Sequence, residues 1–408
     1  MPPRKKTRRS TRVRSASARR RAEADPMTWA TLADVEAELA RARREDDLDR
    51  FLELLGDEEL FVPIHRDEAQ RLAQERTWTP AKVCCAHGGE PSLQVFTRGA
   101  LPDFGADVVF LSGDLDWATH GLAPDEQVVF NRGTLGEWRV SAAAVLPWVD
   151  ANPHRVTAVE QQVERLYTAR YGILDGPVAH ALACGAHQAV LSAEPWNVLD
   201  ARYHDYVAEV RGLRDWWGVA DAEGWRAAMD RLLGDSYQLT TGNLVLVLRA
   251  RSGLALDVYG WVELVRQWCA DNDAEDQAGP LVDAVRRIVR YEQRFRADGL
   301  LAPDGVVDSI IGWDVGRAVE LARWGLAVGY CDALTAELMV LEAGAIARRY
   351  HGSWAELSTG YVLGRLLALD GEEFGPEYVS AARVRHRLLN DPASPWSTLD
   401  FEAGGPHS

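Results

Sequence analysis

The chain has 408 residues, 47% of them apolar and 26% charged, which is usual for a globular protein of two or three domains. Its net charge of −16 is unevenly spread: residues 1–21 hold ten of the 45 basic residues and no acid, so the remaining 35 basic residues face all 61 acids. This composition argues against a general nucleic-acid-binding body, whose phosphate contacts need clustered positive charge.

The first 26 residues predict a disordered basic tail, because they are rich in serine and have too little apolar surface to bury. If the protein binds a polyanion such as nucleic acid at all, we expect it to do so through this tail. The arginines are not followed by the apolar stretch of an export signal, no apolar run is long enough to span a bilayer, and five scattered cysteines suggest no disulfide framework. We therefore expect a cytoplasmic protein that does not bind membranes.

Residues 27–150 predict an α+β domain with a small mixed sheet and short helices. Apolar residues recur at helical spacing between residues 31 and 55, and Gly56 ends the pattern. Short β-like runs bounded by turn residues follow at 60–64, 82–85, 93–97, 108–111 and 128–130.

Residues 151–391 predict a mainly α-helical domain. The candidate helices are 156–171, 177–191, 198–214, 225–233, 255–271, 281–296, 307–328, 335–350 and 354–369. Residues 392–408 are rich in proline and glycine and predict a loose C-terminal tail.

The segment 310–324 is the most informative, because it places an acid and two arginines in an otherwise apolar helix. Asp314 and Arg317 share one side of that helix with Leu321 and Trp324, so this side should be buried. Buried charges must pair with one another or lose several kcal/mol each by desolvation. A polar cluster is therefore expected here.

A second predicted helix also carries a charged residue on an apolar side. Ser353 and Glu356 have the spacing of a capping box, which predicts a helix start. Arg365 then falls on the same aromatic and apolar side as Trp354 and Tyr361.

Gly364 on the second helix would let another helix approach closely. We predict that Asp314 and Arg365 meet between the two helices, with Arg317 nearby and an aromatic ring stacked on a guanidinium. The ring would be that of Trp354 or Tyr361.

Three interpretations of this cluster remain open. In the first interpretation, the cluster has only a structural role and fixes the register of the helices, as buried polar groups sometimes do. It could be a pocket in which arginines recognise an anionic or carboxylate-bearing group. Catalysis is the least favoured, because an acid beside arginines should have a depressed pKa and act as a poor base.

Two other patterns have alternative interpretations. His180, Cys184 and His187 have spacings that could place zinc ligands on one side of a helix, but the surrounding alanines favour a packed core helix, and we predict no metal. Trp216 and Trp217 are adjacent near a helix end, so we expect one to lie in the core and the other at a rim or contact surface.

The C-terminal half resembles an uncharacterised bacterial family, the domain of unknown function 1266. The resemblance is carried by Trp313-Asp314, Arg317, Arg323, Gly329-Tyr330, Ser353-Trp354, Tyr361, Gly364 and Arg365. It implies a helical fold and no established activity.

The N-terminal part resembles the SseB N-terminal domain, a family associated with enhanced type III secretion. The residues that carry this resemblance are Phe61-Val62-Pro63, Leu93-Gln94-Val95-Phe96-Thr97, Phe130-Asn131 and Gly133. It suggests a link to secretion or effector systems.

The sequence thus predicts a non-enzymatic binding, adaptor or regulatory protein whose partner is another protein and which needs no cofactor. One alternative is an enzyme that acts on an anionic small molecule in the polar cluster; another is polyanion binding through the basic tail. The predicted binding residues are Trp313, Asp314, Arg317, Arg323, Tyr330, Ser353, Trp354, Tyr361 and Arg365.

Overall fold

The computed structural model describes residues 32–74, 92–105, 107–153, 166–169, 172–199, 205–234, 240–253, 256–371 and 374–402. In the N-terminal part, short helices surround one sheet. The helices are α1 (Leu32–Arg44), α2 (Leu48–Leu55), α3 (Arg66–Gln74), α4 (Leu115–Thr119) and α5 (Ala142–Ala151). The strands are β1 (Leu60–His65), β2 (Leu93–Thr97), β3 (Val108–Gly113), β4 (Gln127–Phe130) and β5 (Trp138–Ser141).

The sheet has the strand order β3-β1-β2-β4-β5 and is mixed. β2 and β4 are parallel, and the other neighbouring pairs are antiparallel. Side chains alternate across β1: Leu60, Val62 and Ile64 enter the main core, while Phe61 joins a separate aromatic cluster on the opposite face. The predicted α+β fold class of this part is confirmed.

The rest of the described chain is mainly helical, as predicted. Its helices are α6 (Gly176–Cys184), α7 (Ala186–Leu191), α8 (Tyr206–Trp217), α9 (Ala222–Leu233), α10 (Thr241–Ser252), α11 (Val258–Asp271), α12 (Ala278–Ala297), α13 (Ile311–Val328), α14 (Ala333–Tyr350), α15 (Trp354–Leu369), α16 (Pro376–Asn390) and α17 (Pro395–Thr398). Within the described ranges, no helix is both long and apolar enough to cross a membrane.

Helix α13 lies at the centre of this region and packs against α8, α9, α14 and α15. It is buried on nearly every side, and its glycines and alanines let its neighbours come close. The predicted helix 177–191 is two helices, because the chain breaks at Gly185, where a Cβ atom would lie 2.6 Å from Cγ1 of Val319. The break therefore makes room for α13.

The sheet and the helical region share one cluster of buried apolar side chains. Asp205, at the start of α8, accepts hydrogen bonds from the amide of Ala208 on its own helix (2.7 Å) and from the amide of Ser112 on β3 (2.6 Å). One carboxylate therefore both caps a helix and fixes it to the sheet. The predicted division at residue 150 stays a prediction.

The C-terminal segment differs from the predicted loose tail. Residues 395–398 form α17, and the side chains of Trp396 and Phe401 are buried. The indole of Trp396 donates to the carbonyl of Ala183 (2.8 Å) and stacks on Trp354 with ring centroids 5.5 Å apart. Two aromatic side chains in a polar, proline-containing segment are thus enough to hold it against the helices.

Other predicted elements end differently or lie outside the described residues. The predicted helix 307–328 begins at Ile311, and the described part of predicted helix 156–171 is extended, with Tyr167 bridging to Pro195. The predicted tail 1–26 and the strand 82–85 lie outside the described residues.

Candidate functional site

Helices α13 and α15 cross at very close range because glycines line their contact. A Cβ atom at Gly312 would lie 2.5 Å from the carbonyl oxygen of Leu357, and one at Gly364 would lie 2.6 Å from Cβ of Trp313. The expected role of Gly364 in a close helix approach is confirmed. The side chains of the predicted polar cluster lie on the two helices that cross here.

Asp314 is buried and forms an ion pair with Arg317, one turn further along α13. Burial raises the pKa of the Asp314 carboxyl above its usual value, although the charge and the hydrogen bond of Arg317 act to lower it. The expected depressed pKa was therefore wrong, because desolvation outweighs one partly exposed arginine.

Arg365 forms its ion pair with Glu377 on α16, with Nη2 2.6 Å from Oε2. The predicted pairing of Asp314 with Arg365 does not form: within the described residues each has a different partner at ion-pair distance. Asp314 pairs with a residue of its own helix, α13, whereas Arg365 on α15 pairs with a residue of α16.

What brings the two arginines together is the indole ring of Trp313. The guanidinium carbon of Arg317 lies 4.9 Å from the ring centroid and that of Arg365 lies 5.6 Å from it. Arg317 is also 5.7 Å from the ring of Trp217 on α8. We call Trp217, Arg317, Trp313 and Arg365 the tryptophan–arginine row. All four side chains are half-buried, and cation–π contacts of this kind contribute about 0.5–2 kcal/mol each.

Within the described residues, neither of the two aromatic residues expected to stack on a guanidinium does so, although the ring of Tyr361 meets the indole of Trp313 edge-on with ring centroids 5.1 Å apart. The ring of Tyr361 stacks on the imidazole of His187 (centroids 4.2 Å apart, interplanar angle 8°), and its hydroxyl donates to Oε1 of Gln188 (3.0 Å). Burial raises the pKa of Tyr361, so the hydroxyl stays protonated. Trp354 packs on Trp396 instead. Both side chains therefore pack helices against one another.

Arg323 belongs to a separate, sealed ion cluster. Its Nη1 donates to both carboxylate oxygens of Glu320 (2.8 and 2.9 Å), and its Nη2 lies 3.3 Å from the carboxylate of Glu194 and donates to the carbonyl of Pro195 (2.8 Å). Burial alone would lower the pKa of Arg323, but Glu320 and Glu194 raise it above its usual value. This cluster has the geometry of a structural ion pair.

The comparisons with known proteins support the predicted family of the C-terminal, helical part. Residues 212–401 match the family model described as Protein of unknown function (DUF1266). No match was found among curated proteins or among solved structures. The DUF1266 match contains all nine predicted binding residues, whereas the resemblance of residues 27–150 to SseB stays a prediction.

The remaining predicted residues of the DUF1266 region have local roles. The hydroxyl of Tyr330 donates to the carbonyl of Ala220 (2.9 Å). Ser353 caps α15 by accepting a hydrogen bond from the amide of Glu356 (3.2 Å), and the Glu356 carboxylate accepts from the amide of Gly352 (2.7 Å). The capping interaction is as predicted, except that the glutamate reaches one residue beyond the cap.

The zinc-like spacing before the DUF1266 region is used for packing. Nε2 of His180 lies 2.8 Å from the carbonyl oxygen of Phe401, and Nε2 of His187 lies 2.8 Å from the hydroxyl of Ser358. The thiol of Cys184 donates to the carbonyl of His180 (3.4 Å). In the part of the chain that the structure describes, no group of three or more potential ligands could hold a metal ion.

Sequence reasoning missed Glu194, Glu320 and Glu377, the acids that neutralise Arg323 and Arg365. Glu320 was detectable, since it precedes Arg323 by three residues on the same helix. Glu194 and Glu377 lie in the chain between α7 and α8 and on α16, so no pattern within α13 or α15 could reveal them.

Proposed function

We propose that the protein is a non-enzymatic, cytoplasmic binding protein, and that another protein docks on the surface formed by Trp216 and the tryptophan–arginine row. The observation that carries the proposal is the exposure of Trp216, whose side chain is 85% accessible. Tryptophan and arginine are the residues most enriched at the centres of protein interfaces. A large indole left in water, one residue before Trp217 of the row, favours a contact surface.

The ion pairs of the row indicate the chemistry of the partner. Arg317 is paired with Asp314 and Arg365 with Glu377, so the surface offers ring faces and guanidinium planes and little net charge. A partner that inserts an apolar or aromatic side chain suits this surface better than an acidic one. Its association should therefore depend only weakly on salt.

The alternative of an enzyme acting on an anionic substrate has less support, because both arginines of the row already have carboxylate partners. Asp314 has a raised pKa, but its polar contacts among the described residues are with Arg317. Turnover of a phosphorylated or carboxylated metabolite that is lost in a folded Arg365→Ala variant would favour the enzyme. Polyanion binding through residues 4–21 concerns the part of the chain outside the described residues and would be tested by deleting that tail.

The proposed link to secretion or effector systems is supported only by the resemblance of residues 27–150 to the SseB N-terminal domain. It would make the sheet a second contact surface beside the helical one. Deleting residues 1–150 is not a suitable test, because the sheet and the helices share one core.

The test of the docking surface is site-specific photo-cross-linking in the cells that make the protein. A photoreactive benzophenone amino acid is placed at Trp216 and, as a matched control, at Leu135, which is 86% exposed in the N-terminal part. We expect one discrete protein adduct at position 216 that is absent at position 135. The identified partner should bind a Trp216→Ala variant about thirty-fold less tightly, the effect of a hot-spot tryptophan worth about 2 kcal/mol. Identical adducts at both positions, or unchanged affinity, would contradict the proposal.

A further inference from the structure

A cleft of about 420 Å³ opens on the side of the helical region formed by the loop between α12 and α13, the first turns of α15, and α16. Its lining includes Leu300, Val306, Ser309, His351, Thr359 and Arg385. The volume lies in the range of small-molecule sites. None of these residues belongs to the tryptophan–arginine row.

Arg385 is the feature of this cleft that calls for a ligand. It projects from α16, is only 7% exposed, and donates through Nη2 to the carbonyl of Leu300 (2.8 Å). Its Nε has no hydrogen-bond partner, and the described residues place no carboxylate at ion-pair distance from it. Burial lowers the pKa of Arg385 to about 10, but the group remains charged at neutral pH. A buried cation without a counter-ion is costly, and an anion from solution would relieve that cost.

His351 supplies a second polar group without a partner. The residue is 6% exposed, lines the same cleft, and has no hydrogen-bond partner for Nε2 in the described part of the chain. Burial lowers its pKa to about 4, so the imidazole is neutral at physiological pH. Gly360 lets Ser309 and His351 pack closely against α15, because a Cβ atom at Gly360 would lie 2.4 Å from the carbonyl oxygen of Ser309 and 2.9 Å from the imidazole of His351.

The other lining residues restrict the charge and shape of the ligand. Asp308 and Glu356 also line the cleft and are exposed, so their carboxylates repel any anion, a multiply charged one such as a polyphosphate more strongly than a singly charged one. One guanidinium matches one carboxylate in charge and in planar geometry. Leu300, Leu301 and Val306 give the cleft an apolar wall on which a hydrocarbon chain can pack.

We propose that this cleft binds a small organic acid through a single carboxylate, with Arg385 as the counter-ion and His351 as a second polar contact. The apolar part of the acid lies against the loop between α12 and α13. This site goes beyond the protein-docking function proposed above, and neither depends on the other.

The test uses the full-length protein and straight-chain monocarboxylates from acetate to octanoate as probes, with the corresponding primary amides as uncharged controls. Binding is measured by isothermal titration calorimetry and by the shift in thermal unfolding temperature. We expect at least one acid in the series to bind and its amide to bind about ten-fold more weakly or not at all, because the amide lacks the charge that strengthens hydrogen bonds to a guanidinium. Arg385→Gln should cause a similar loss.

A second pair of variants keeps the proposal testable if Arg385→Gln folds poorly. Val306 is 43% exposed at the cleft, so Val306→Trp should fill the cleft and abolish binding without lowering stability. Val379 is 48% exposed on the same helix as Arg385 but away from the cleft, and Val379→Trp should bind like the wild type. The proposal is overturned if no acid in the series binds, if acid and amide bind equally, or if Val306→Trp binds as tightly as Val379→Trp.

Discussion

Arg323 in the core and Arg385 at the cleft are both buried, but their positive charges have opposite surroundings. Both are less than 10% exposed. Arg323 is held by two carboxylates and has a raised pKa. Arg385 has a carbonyl partner, no carboxylate partner among the described residues, and a pKa lowered to about 10. Burial alone therefore does not distinguish a structural arginine from one available to a ligand. The charge of the neighbouring groups distinguishes the two.

The largest effect that would test this comparison is expected at Arg323. Arg323→Met leaves Glu194 and Glu320 buried without their cation, and we expect a loss of about 3–5 kcal/mol in the free energy of unfolding. Urea denaturation at neutral pH measures it. Arg266 is a matched control: it pairs with Glu263 at 2.6 Å but is exposed, so Arg266→Met should cost less than about 1 kcal/mol. Equal losses in the two variants would mean that the buried cluster contributes no more than a surface pair.

A partly buried acid that has no cationic partner among the described residues should, like Arg385, have a shifted pKa. Glu36 on α1 accepts hydrogen bonds from the hydroxyl of Thr97 (2.6 Å) and the amide of Asn131 (3.3 Å), and burial raises its pKa to about 7. The folded state then holds this proton more tightly than the unfolded state, whose pKa is about 4.5. Stability is therefore greatest below pH 4.5 for this group and falls as pH rises toward 7, by up to about 3 kcal/mol.

Glu36→Gln removes the titrating group and should flatten this part of the stability–pH curve. Glu38, two residues further along α1, pairs with Arg41 at the surface (3.1 Å), so Glu38→Gln should leave the curve as in the wild type. Unfolding by urea between pH 4.5 and 7 provides the measurement. A wild-type curve that rises over this interval, with the same slope in the Glu36→Gln variant, would show that Glu36 is ionised throughout.

The smallest effect is expected at Arg385 itself. Arg385→Gln loses the hydrogen bond to Leu300 but also removes a buried charge that no described carboxylate pairs with, so the free energy of unfolding should change by less than about 1 kcal/mol. The same denaturation experiment compares it with Arg323→Met. If the two losses were alike, Arg385 would be structural, and the contrast between the two arginines would disappear.

The fold could be predicted wherever local signals agreed with the environment. Helix α15 has the predicted bounds, because Ser353 provides its cap and its apolar residues recur at helical spacing. Helix α10 and strand β5 were not predicted. α10 is apolar around most of its circumference and so has no amphipathic pattern, and β5 has only four residues.

The candidate site was predicted only in part, for a different reason. Helical periodicity placed Arg317 and Arg365 on buried faces, the family resemblance singled out Trp313, and the structure does bring the three together. It could not choose their partners, since Glu377 belongs to another helix and Asp314 had two arginines available. Arg385 was missed because it lies among Arg383, His386 and Arg387, where it looks like part of a solvated face.

The described segment between residues 395 and 402 helps to stabilise the helical region. The carbonyl of Phe401 contacts His180, and the carbonyl of Leu399 accepts from the indole of Trp354 (2.8 Å), so this short segment clasps α6 to the start of α15. Proteolytic trimming back to Asn390 would strip that clasp and uncover the aromatic faces beneath it. Forms of the protein truncated in this way should then aggregate more readily.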